Sequence, residues 1–253
     1  MNINDLVFSL RAWVKKIKGG SVDFSELGKK NTLTMAHEKW NKLVQNHVSK
    51  DGNVDYRGFQ SDSAQLDQYL EELSSHPPGK NWTEKEQLAY WINAYNAFTV
   101  KLIVDHYPVK SIKDIGDKKG LVDSPWDIKF FKIGGVDFDL GTIEHEILRK
   151  KYKEPRIHFA INCASYSCPI LRNEAYTAEQ LDQQLDDQTQ LFLYDTNKNI
   201  ITPKETKLSK IFNWFSSDFR VHTDVLTFIK KYNDTLNTEN DVDYIEYQWT
   251  LNE

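Results

Sequence analysis

Apolar residues recur at helical spacing in two segments of the N-terminal half of the chain, 40–48 and 62–73. Between them, residues 50–53 (Lys-Asp-Gly-Asn) are typical of a turn, and a short extended piece follows at 54–56. The pattern therefore predicts two amphipathic helices separated by a turn and a short extended segment.

The segment 88–100 is apolar almost all round, which is typical of a helix buried on every face. Thr83 and Glu86 precede it with the spacing of a capping box, so the start of this helix is well defined. Asn93 and Asn96 lie on one edge of the predicted helix. Because buried amides need hydrogen-bond partners, these two residues either pin neighbouring loops or orient groups in a binding site.

Beyond the central helix the pattern changes to strands. Segments 128–133 and 136–140 flank the pair Gly134-Gly135 and predict a hairpin. After the hairpin, the pattern predicts a helix over 142–151, capped by Thr142, then an extended segment over 156–163 and a loop over 164–171. A helix over 177–193, capped by Thr177, and a strand over 199–202 come next. Two further helices are predicted near 208–215 and 223–232.

This mixture predicts an α+β fold, with the buried central helix packed against a mostly antiparallel sheet. We find no internal repeat and no long polar linker, so residues 35–253 are predicted to form a single α+β domain. Residues 1–34 are predicted to form an N-terminal helical arm. Its basic run, 11–18, is either an ordinary solvated helix or a contact for a membrane surface or a partner protein.

Composition limits the possible functions. The chain has 253 residues, 40% of them hydrophobic, and a formal net charge of −5, which disfavours nucleic acid as a partner. No stretch reaches the roughly 20 apolar residues of a transmembrane segment, and the N-terminus does not resemble a signal peptide. With only two cysteines, we expect a soluble cytoplasmic protein, or a periplasmic or secreted one if a leader was removed.

Cys163 follows the predicted extended segment and precedes a loop of small polar residues. Such a position suits a nucleophile, although a free cysteine is also a common buried apolar residue. His145 and Glu144 fall in the first turn of a predicted helix, where the dipole favours a carboxylate and a neutral imidazole. We therefore expect His145 to act as the base for Cys163; the alternative is that Glu144 complements the dipole and His145 merely packs.

Other polar residues surround this pair. His158 lies five residues before Cys163, so on a strand the two side chains point to opposite faces. Cys168 allows a disulfide with Cys163, or a zinc site with both histidines, but the Cys-x4-Cys spacing is unusual for zinc. We predict neither a metal nor a cofactor. The arginines of this region are expected to bind a substrate carboxylate, and backbone amides of the loop 164–167 to stabilise an oxyanion. The expected substrate-binding residues are Asn93, Asn96, Arg149, Arg156, His158, Ser167 and Arg172.

Several blocks of the chain together resemble the domain of unknown function 547 (DUF547) family, over roughly residues 35–235. The blocks are 88–97 (LAYWINAYNA), 107–112 (YPVKSI), 143–149 (IEHEILR), 156–164 (RIHFAINCA), 167–169 (SCP) and 208–214 (LSKIFNW). The resemblance implies a shared fold, while the family name leaves the activity open.

A weaker resemblance connects the chain to papain-like and transglutaminase-like thiol hydrolases. It implies a cysteine nucleophile, a histidine base and an acidic or amide residue that orients the base, carried over to Cys163, His145 and Glu144. Asn93 is the alternative residue that we expect to orient the base. The order departs from the papain-like pattern, in which the nucleophile comes before the histidine and begins a helix. Catalytic triads do occur in different chain orders on unrelated folds.

The expected function is a thiol-dependent hydrolase or transferase, acting on an amide of a small peptide or thiol-containing molecule. The alternative is a non-catalytic module that binds a ligand or a protein with the same Cys/His loop.

Overall fold

A computed structural model of the chain describes residues 27, 28, 31, 34–116, 124–220 and 224–253. The arm predicted over residues 1–34 falls almost entirely outside these residues, so its helical form stays a prediction. Among the described helices, none combines the length and the apolar composition needed to cross a bilayer.

The N-terminal half is built around one long buried helix. Its α-helices are α1 (Glu38–His47), α2 (Tyr56–Ser61), α3 (Ser63–Ser75) and α4 (Glu84–His106). The predicted capping box is present, because Thr83 and Glu86 each accept from the other's backbone N–H. All residues from Leu88 to Val100 are buried, which confirms the central helix. Helices α2 and α3 pack against α4.

Two small sheets complete the α+β fold. Strands β1 (Phe131–Ile133) and β2 (Val136–Phe138) form the predicted antiparallel hairpin. Gly134 and Gly135 both have positive φ, as a two-residue hairpin turn requires. The central helix meets this hairpin through aromatic rings, with the Phe98 and Phe131 centroids 3.7 Å apart.

The second sheet has three strands, β3 (Ile200–Ile201), β4 (Thr206–Ser209) and β5 (Val242–Ile245). Strand β3 lies within the strand predicted over 199–202 and pairs antiparallel with β4, which was not predicted. Strand β5 was not predicted and pairs parallel with β4. The chain that follows β5 crosses the loop after Cys163, where the carbonyls of Thr250 and Gln248 accept from the N–H groups of Tyr166 and Ser167.

The segment predicted as a helix from Thr142 adopts two forms. It is a π-helix over Thr142–Leu148 and then a short α-helix, α5 (Arg149–Lys151). The predicted cap was wrong, because the Asp139 carboxylate accepts from the Thr142 N–H at 2.6 Å and so takes that role. Single π-helical turns inside helices occur often at functional sites.

The extended segment predicted over 156–163 was also wrong in part. Residues Ile157–Ala160 form a short α-helix, α6, and only the residues after it are extended. All four side chains of α6 are buried, so their apolar pattern has no period that distinguishes a strand from a helix. Pro155 precedes the helix and its carbonyl accepts from the His158 N–H.

The remaining helices are α7 (Leu181–Tyr194), α8 (Lys210–Trp214), α9 (Ser216–Phe219) and α10 (Val225–Lys230). The helix predicted from Thr177 begins later, at Leu181, and the helix predicted from Leu208 begins after β4, at Lys210. Buried side chains form two clusters, one around α4 and one built from phenylalanines of α6 to α10. Trp249 packs against both clusters.

Asn93 and Asn96 each tie the central helix to a distant backbone segment. The Asn93 side chain donates to the Tyr176 carbonyl and accepts from the Tyr176 N–H. The Asn96 side chain donates to the Ala160 carbonyl at 2.9 Å and accepts from the Asn162 N–H at 2.8 Å. Both amides therefore act as backbone pins, which is one of the two roles expected for them.

Replacing Asn96 with alanine removes both of its hydrogen bonds and leaves two buried backbone groups without these partners. We expect the free energy of unfolding to fall by about 2–6 kcal/mol, because each of the two unpaired buried groups costs roughly 1–3 kcal/mol. Urea unfolding followed by tryptophan fluorescence measures the change. The exposed Asn197 is the control, and equal losses for Asn96→Ala and Asn197→Ala would contradict the pinning role.

Candidate functional site

A cavity of about 50 Å³ lies where the two hydrophobic clusters meet. Its walls come from the central helix, the π-helix, α6, the loop after Cys163, α8 and the chain after β5. The lining residues are Tyr95, Trp126, Glu144, His158, Ile161, Cys163, Cys168, Pro169, Ile211, Trp214, Phe215, Tyr247 and Trp249.

The backbone around Cys163 is fixed on both sides. Asn162 donates its N–H to Asn96, and its side-chain oxygen accepts from the Ala164 N–H at 2.8 Å. Ala164 has a φ of 58°, a left-handed conformation that is uncommon for a residue other than glycine. Strained backbone of this kind often occurs where a reactive side chain must be presented.

Three side chains hydrogen-bond to the Cys163 sulfur. Cys168 Sγ lies 3.0 Å away, Ser165 Oγ 3.2 Å and Tyr247 Oη 3.3 Å. The hydrogen bond from Cys168, helped by those from Ser165 and Tyr247, lowers the pKa of Cys163 although burial acts to raise it. Burial raises the pKa of Cys168 well above its ordinary value. Cys163 is therefore the thiol of the pair that ionises first.

The two cysteines are free thiols rather than a disulfide. Both cysteines line the cavity; Cys163 is half-buried and Cys168 is buried. The Cys163 N–H also donates to Cys168 Sγ at 2.9 Å. Cys168 is thus positioned by the same backbone that positions Cys163.

The structure does not bring His145 to the thiol, whose hydrogen-bond partners among the described residues are Cys168, Ser165 and Tyr247. His145 Nδ1 lies 3.1 Å from Nη1 of Arg149. Because a guanidinium has only donors, Nδ1 is the acceptor in this bond and carries no proton there.

His158, in contrast, lines the cavity with Cys163. Its Nε2 lies 2.8 Å from Oδ2 of Asp218, and its ring stacks on Phe215 with centroids 4.2 Å apart. The expectation that His158 and Cys163 point to opposite faces assumed a strand, and the helical turn of α6 removes that constraint. A carboxylate that holds Nε2–H leaves Nδ1 as the basic nitrogen.

Asp218 also binds Arg149, which donates to it through Nε at 2.5 Å and Nη2 at 3.0 Å. Burial acts to raise the pKa of Asp218, but the hydrogen bonds from His158 and Arg149 outweigh it and lower the pKa well below its ordinary value. Asp218 is therefore a carboxylate at neutral pH and keeps the His158 ring in one orientation.

A second chain of hydrogen bonds reaches the cavity from the central helix. Trp126 Nε1 donates to the Tyr95 hydroxyl at 3.1 Å, and that hydroxyl donates to Glu144 Oε2 at 3.3 Å. Burial, together with the nearby Glu144 charge, raises the pKa of Tyr95 well above its ordinary value. Tyr95 is thus a permanent donor to Glu144.

The remaining expected substrate-binding residues are engaged elsewhere, and among the described residues that line the cavity there is no arginine. Arg156 binds Glu154, Asp182 and Asp186, and Arg172 binds Glu174 and Asp187. Ser167 exchanges hydrogen bonds with the backbone of Gln248. These arginines form ion pairs instead of one carboxylate clamp.

Sequence reasoning missed Asp218 and Tyr247. Asp218 is 60 residues from His158 in the chain, and Tyr247 is 84 residues from Cys163. The signal that could have identified Asp218 is a carboxylate placed between the apolar residues Phe215 and Phe219. No spacing rule connects Tyr247 to the cysteine, because the contact depends on the path of the chain after β5.

The described residues contain no group of three or more histidine, cysteine or acidic side chains able to hold a metal ion. The zinc alternative considered for the two cysteines and two histidines thus has no matching cluster in this part of the chain. A larger cavity, of about 430 Å³, lies elsewhere and is lined by Lys80, Lys150, Lys151 and Glu146 among others. Among its described lining residues there is neither a cysteine nor a histidine.

The fold and the site together define an α+β domain with a buried thiol at a small aromatic cavity. Residues 79–193 match the model of a family described as "Protein of unknown function, DUF547". The match confirms the resemblance to this family over a segment that includes the central helix and both cysteines, shorter than the expected 35–235. The comparisons with curated proteins and with solved structures gave no match. The weaker resemblance to papain-like enzymes stays a prediction.

The hydrogen bonds to the Cys163 sulfur predict that the rate of Cys163 alkylation rises at a lower pH than the rate for an ordinary thiol. We expect the midpoint for iodoacetamide labelling of Cys163 to lie below the pKa of an ordinary thiol. Cys168→Ala or Tyr247→Phe removes a donor to the thiolate, so the pKa rises and labelling at pH 7 slows. Peptide mapping at each pH gives the rate, with the exposed Tyr244→Phe as control. Unmoved midpoints in both variants would show that these donors do not stabilise the thiolate.

The short distance between the two sulfurs predicts an intramolecular disulfide on mild oxidation. Diamide is expected to take one hydrogen from each thiol, which joins Cys163 to Cys168 and reduces the diazene to a hydrazine. Thiol titration then reports the loss of both thiols, and dithiothreitol restores them. Oxidation that yields only cross-linked dimers would contradict the prediction.

Proposed function

We propose that the protein is a thiol-dependent hydrolase or transferase that acts on an amide of a small peptide or thiol-containing molecule. One observation carries this proposal. The Cys163 thiol, whose hydrogen bonds favour the thiolate, shares a cavity with an imidazole that a carboxylate holds in place. Nucleophile, base and orienting group are the elements of a catalytic triad.

In the proposed reaction, His158 takes the proton of Cys163 and the thiolate attacks the carbonyl carbon of the amide. The C–N bond then breaks, the nitrogen leaves as an amine with the proton from His158, and the acyl group stays on sulfur as a thioester. Water hydrolyses the thioester, or an acceptor takes the acyl group, and the thiol is regenerated.

His158 takes the role that the sequence suggested for His145, because only His158 lines the cavity. His145 Nδ1 is held by Arg149, which belongs to the same network through Asp218. Arg149 thereby supports the orientation of Asp218 and indirectly that of His158.

The oxyanion needs donors near the sulfur, and most of the loop amides are already engaged. The N–H groups of Ala164, Tyr166 and Ser167 donate to Asn162, Thr250 and Gln248 respectively. We therefore assign the oxyanion to the Tyr247 hydroxyl, which lies 3.3 Å from the sulfur and accepts from the Ser165 hydroxyl at 3.0 Å. Burial raises the pKa of Tyr247 well above its ordinary value, so its hydroxyl keeps the proton it donates.

Acylation by p-nitrophenyl acetate tests the nucleophile and its base. We expect a burst of p-nitrophenolate and a mass gain of one acetyl group on Cys163, both abolished in Cys163→Ala. His158→Gln is expected to slow acylation at least about 100-fold, as loss of a general base does, while His145→Gln is much milder. Urea midpoints confirm that each variant is folded, and peptide p-nitroanilides extend the assay to amides.

A thiol that reacts at the same rate in wild type and His158→Gln would contradict the assigned base. Equal burst amplitudes in wild type and Cys163→Ala would contradict the nucleophile itself. An inert Cys163 in a folded protein that retains a ligand would favour the binding module instead.

A further inference from the structure

Glu144 is a buried carboxylate that the proposed reaction does not use. Its side chain is only 8% exposed and lines the cavity beside Cys163. Its hydrogen-bond donor among the described residues is the Tyr95 hydroxyl, at a distance of 3.3 Å. Buried charges in proteins are normally paired with an opposite charge and with several hydrogen bonds, so Glu144 is under-compensated.

The neighbouring cationic groups compensate the charge of Glu144 only in part: the Arg149 charge attracts it, but the hydrogen bond to this carboxylate comes from Tyr95 and not from Arg149. His145 Nδ1 lies 4.0 Å from Glu144 Oε1, but this nitrogen accepts from Arg149 and has no proton to offer. The Arg149 guanidinium in turn donates in two places to Asp218. The sequence expectation that Glu144 orients His145 therefore stays a prediction, supported by the 4.0 Å contact between the two side chains.

Aromatic rings form the walls around this carboxylate. The Tyr247 centroid lies 4.6 Å from that of Trp249 and 4.9 Å from that of Trp214, and the Trp126 centroid lies 5.8 Å from that of Trp249. The faces of such rings attract cations, indole most strongly. The chain shows this preference itself, since the Lys113 ammonium lies 3.7 Å from the Trp249 ring centroid.

We propose that the cavity beside Cys163 binds the ammonium group of a primary alkylamine, with Glu144 as its counter-ion and the tryptophan and tyrosine rings as its walls. A volume of about 50 Å³ suits an ammonium with its adjoining methylene and excludes a bulky quaternary ammonium. Tyr95 and Trp126 hold the carboxylate in place from the side of the central helix. This deepens the proposed function, on which it rests, by assigning substrates that carry a primary amine.

Binding of n-butylammonium chloride to the intact chain tests the site without requiring any catalysis. Tryptophan fluorescence follows the titration, and butan-1-ol and sodium butyrate are the neutral and anionic probes of matched size. We expect saturable binding of the ammonium alone. Glu144→Gln keeps the shape of the side chain and is expected to weaken binding on the order of tenfold, a difference of about 1.4 kcal/mol.

Glu146→Gln is the matched control, since Glu146 lies two residues along the same helix and pairs with Lys150 at the surface. Its binding is expected to equal that of wild type. Equal affinity in Glu144→Gln and wild type, or butan-1-ol binding as well as butylammonium, would overturn the proposal. Urea midpoints verify that Glu144→Gln is folded, as expected when an under-compensated buried charge is neutralised.

Acetylation of Cys163 in the same samples separates this proposal from the previous one. Ammonium binding that depends on Glu144 while Cys163 fails to acylate would support the site and reject the thiol reaction. A normal acetylation burst with no ammonium binding would reject the site and leave the reaction in place.

Discussion

The pair of hydrogen bonds made by Asn96 is the constraint on which the site depends. Asn96 belongs to a helix buried on every face, which neighbouring elements hold firmly. Its side-chain amide donates to the Ala160 carbonyl and accepts from the Asn162 N–H. These two backbone groups lie on either side of the turn that leads from α6 into the loop containing Cys163. The position of the Cys163 sulfur is thus set by a buried helix, although the loop itself is irregular.

Elements with local signals were predictable from the sequence. The capping box at Thr83 and the paired glycines at 134 and 135 specify their structures through a few neighbouring residues, so the central helix and the hairpin followed directly. Helix α6 was not predictable in the same way, because four consecutive buried residues carry no period. Strand β5 and the i→i+5 bonding of the π-helix likewise leave no local signature.

The site was predictable only in its location. The segment 142–171, where the chemistry was expected, supplies Glu144, His158 and both cysteines to the cavity, and their role in a reaction stays a prediction. Which histidine lines the same cavity as the thiol could not be predicted from spacing, because the answer depends on a helical turn where a strand was predicted. The groups that orient these side chains, Asp218 and Tyr247, come from parts of the chain that meet them only in the folded state.

The Glu144 carboxylate and the Cys163 thiol line the same cavity, and the interaction between their charges links the proposed reaction to the proposed ligand. The negative charge of Glu144 raises the pKa of Cys163 and so opposes the hydrogen bonds that favour the thiolate. A cation bound at Glu144 removes this effect on the pKa of Cys163, because the positive charge compensates the carboxylate. The coupling is reciprocal, so an ionised thiol also strengthens binding of the cation. In this scheme the nucleophile is most reactive when an amine-bearing substrate occupies the cavity, and an under-compensated carboxylate becomes a means of selecting that substrate.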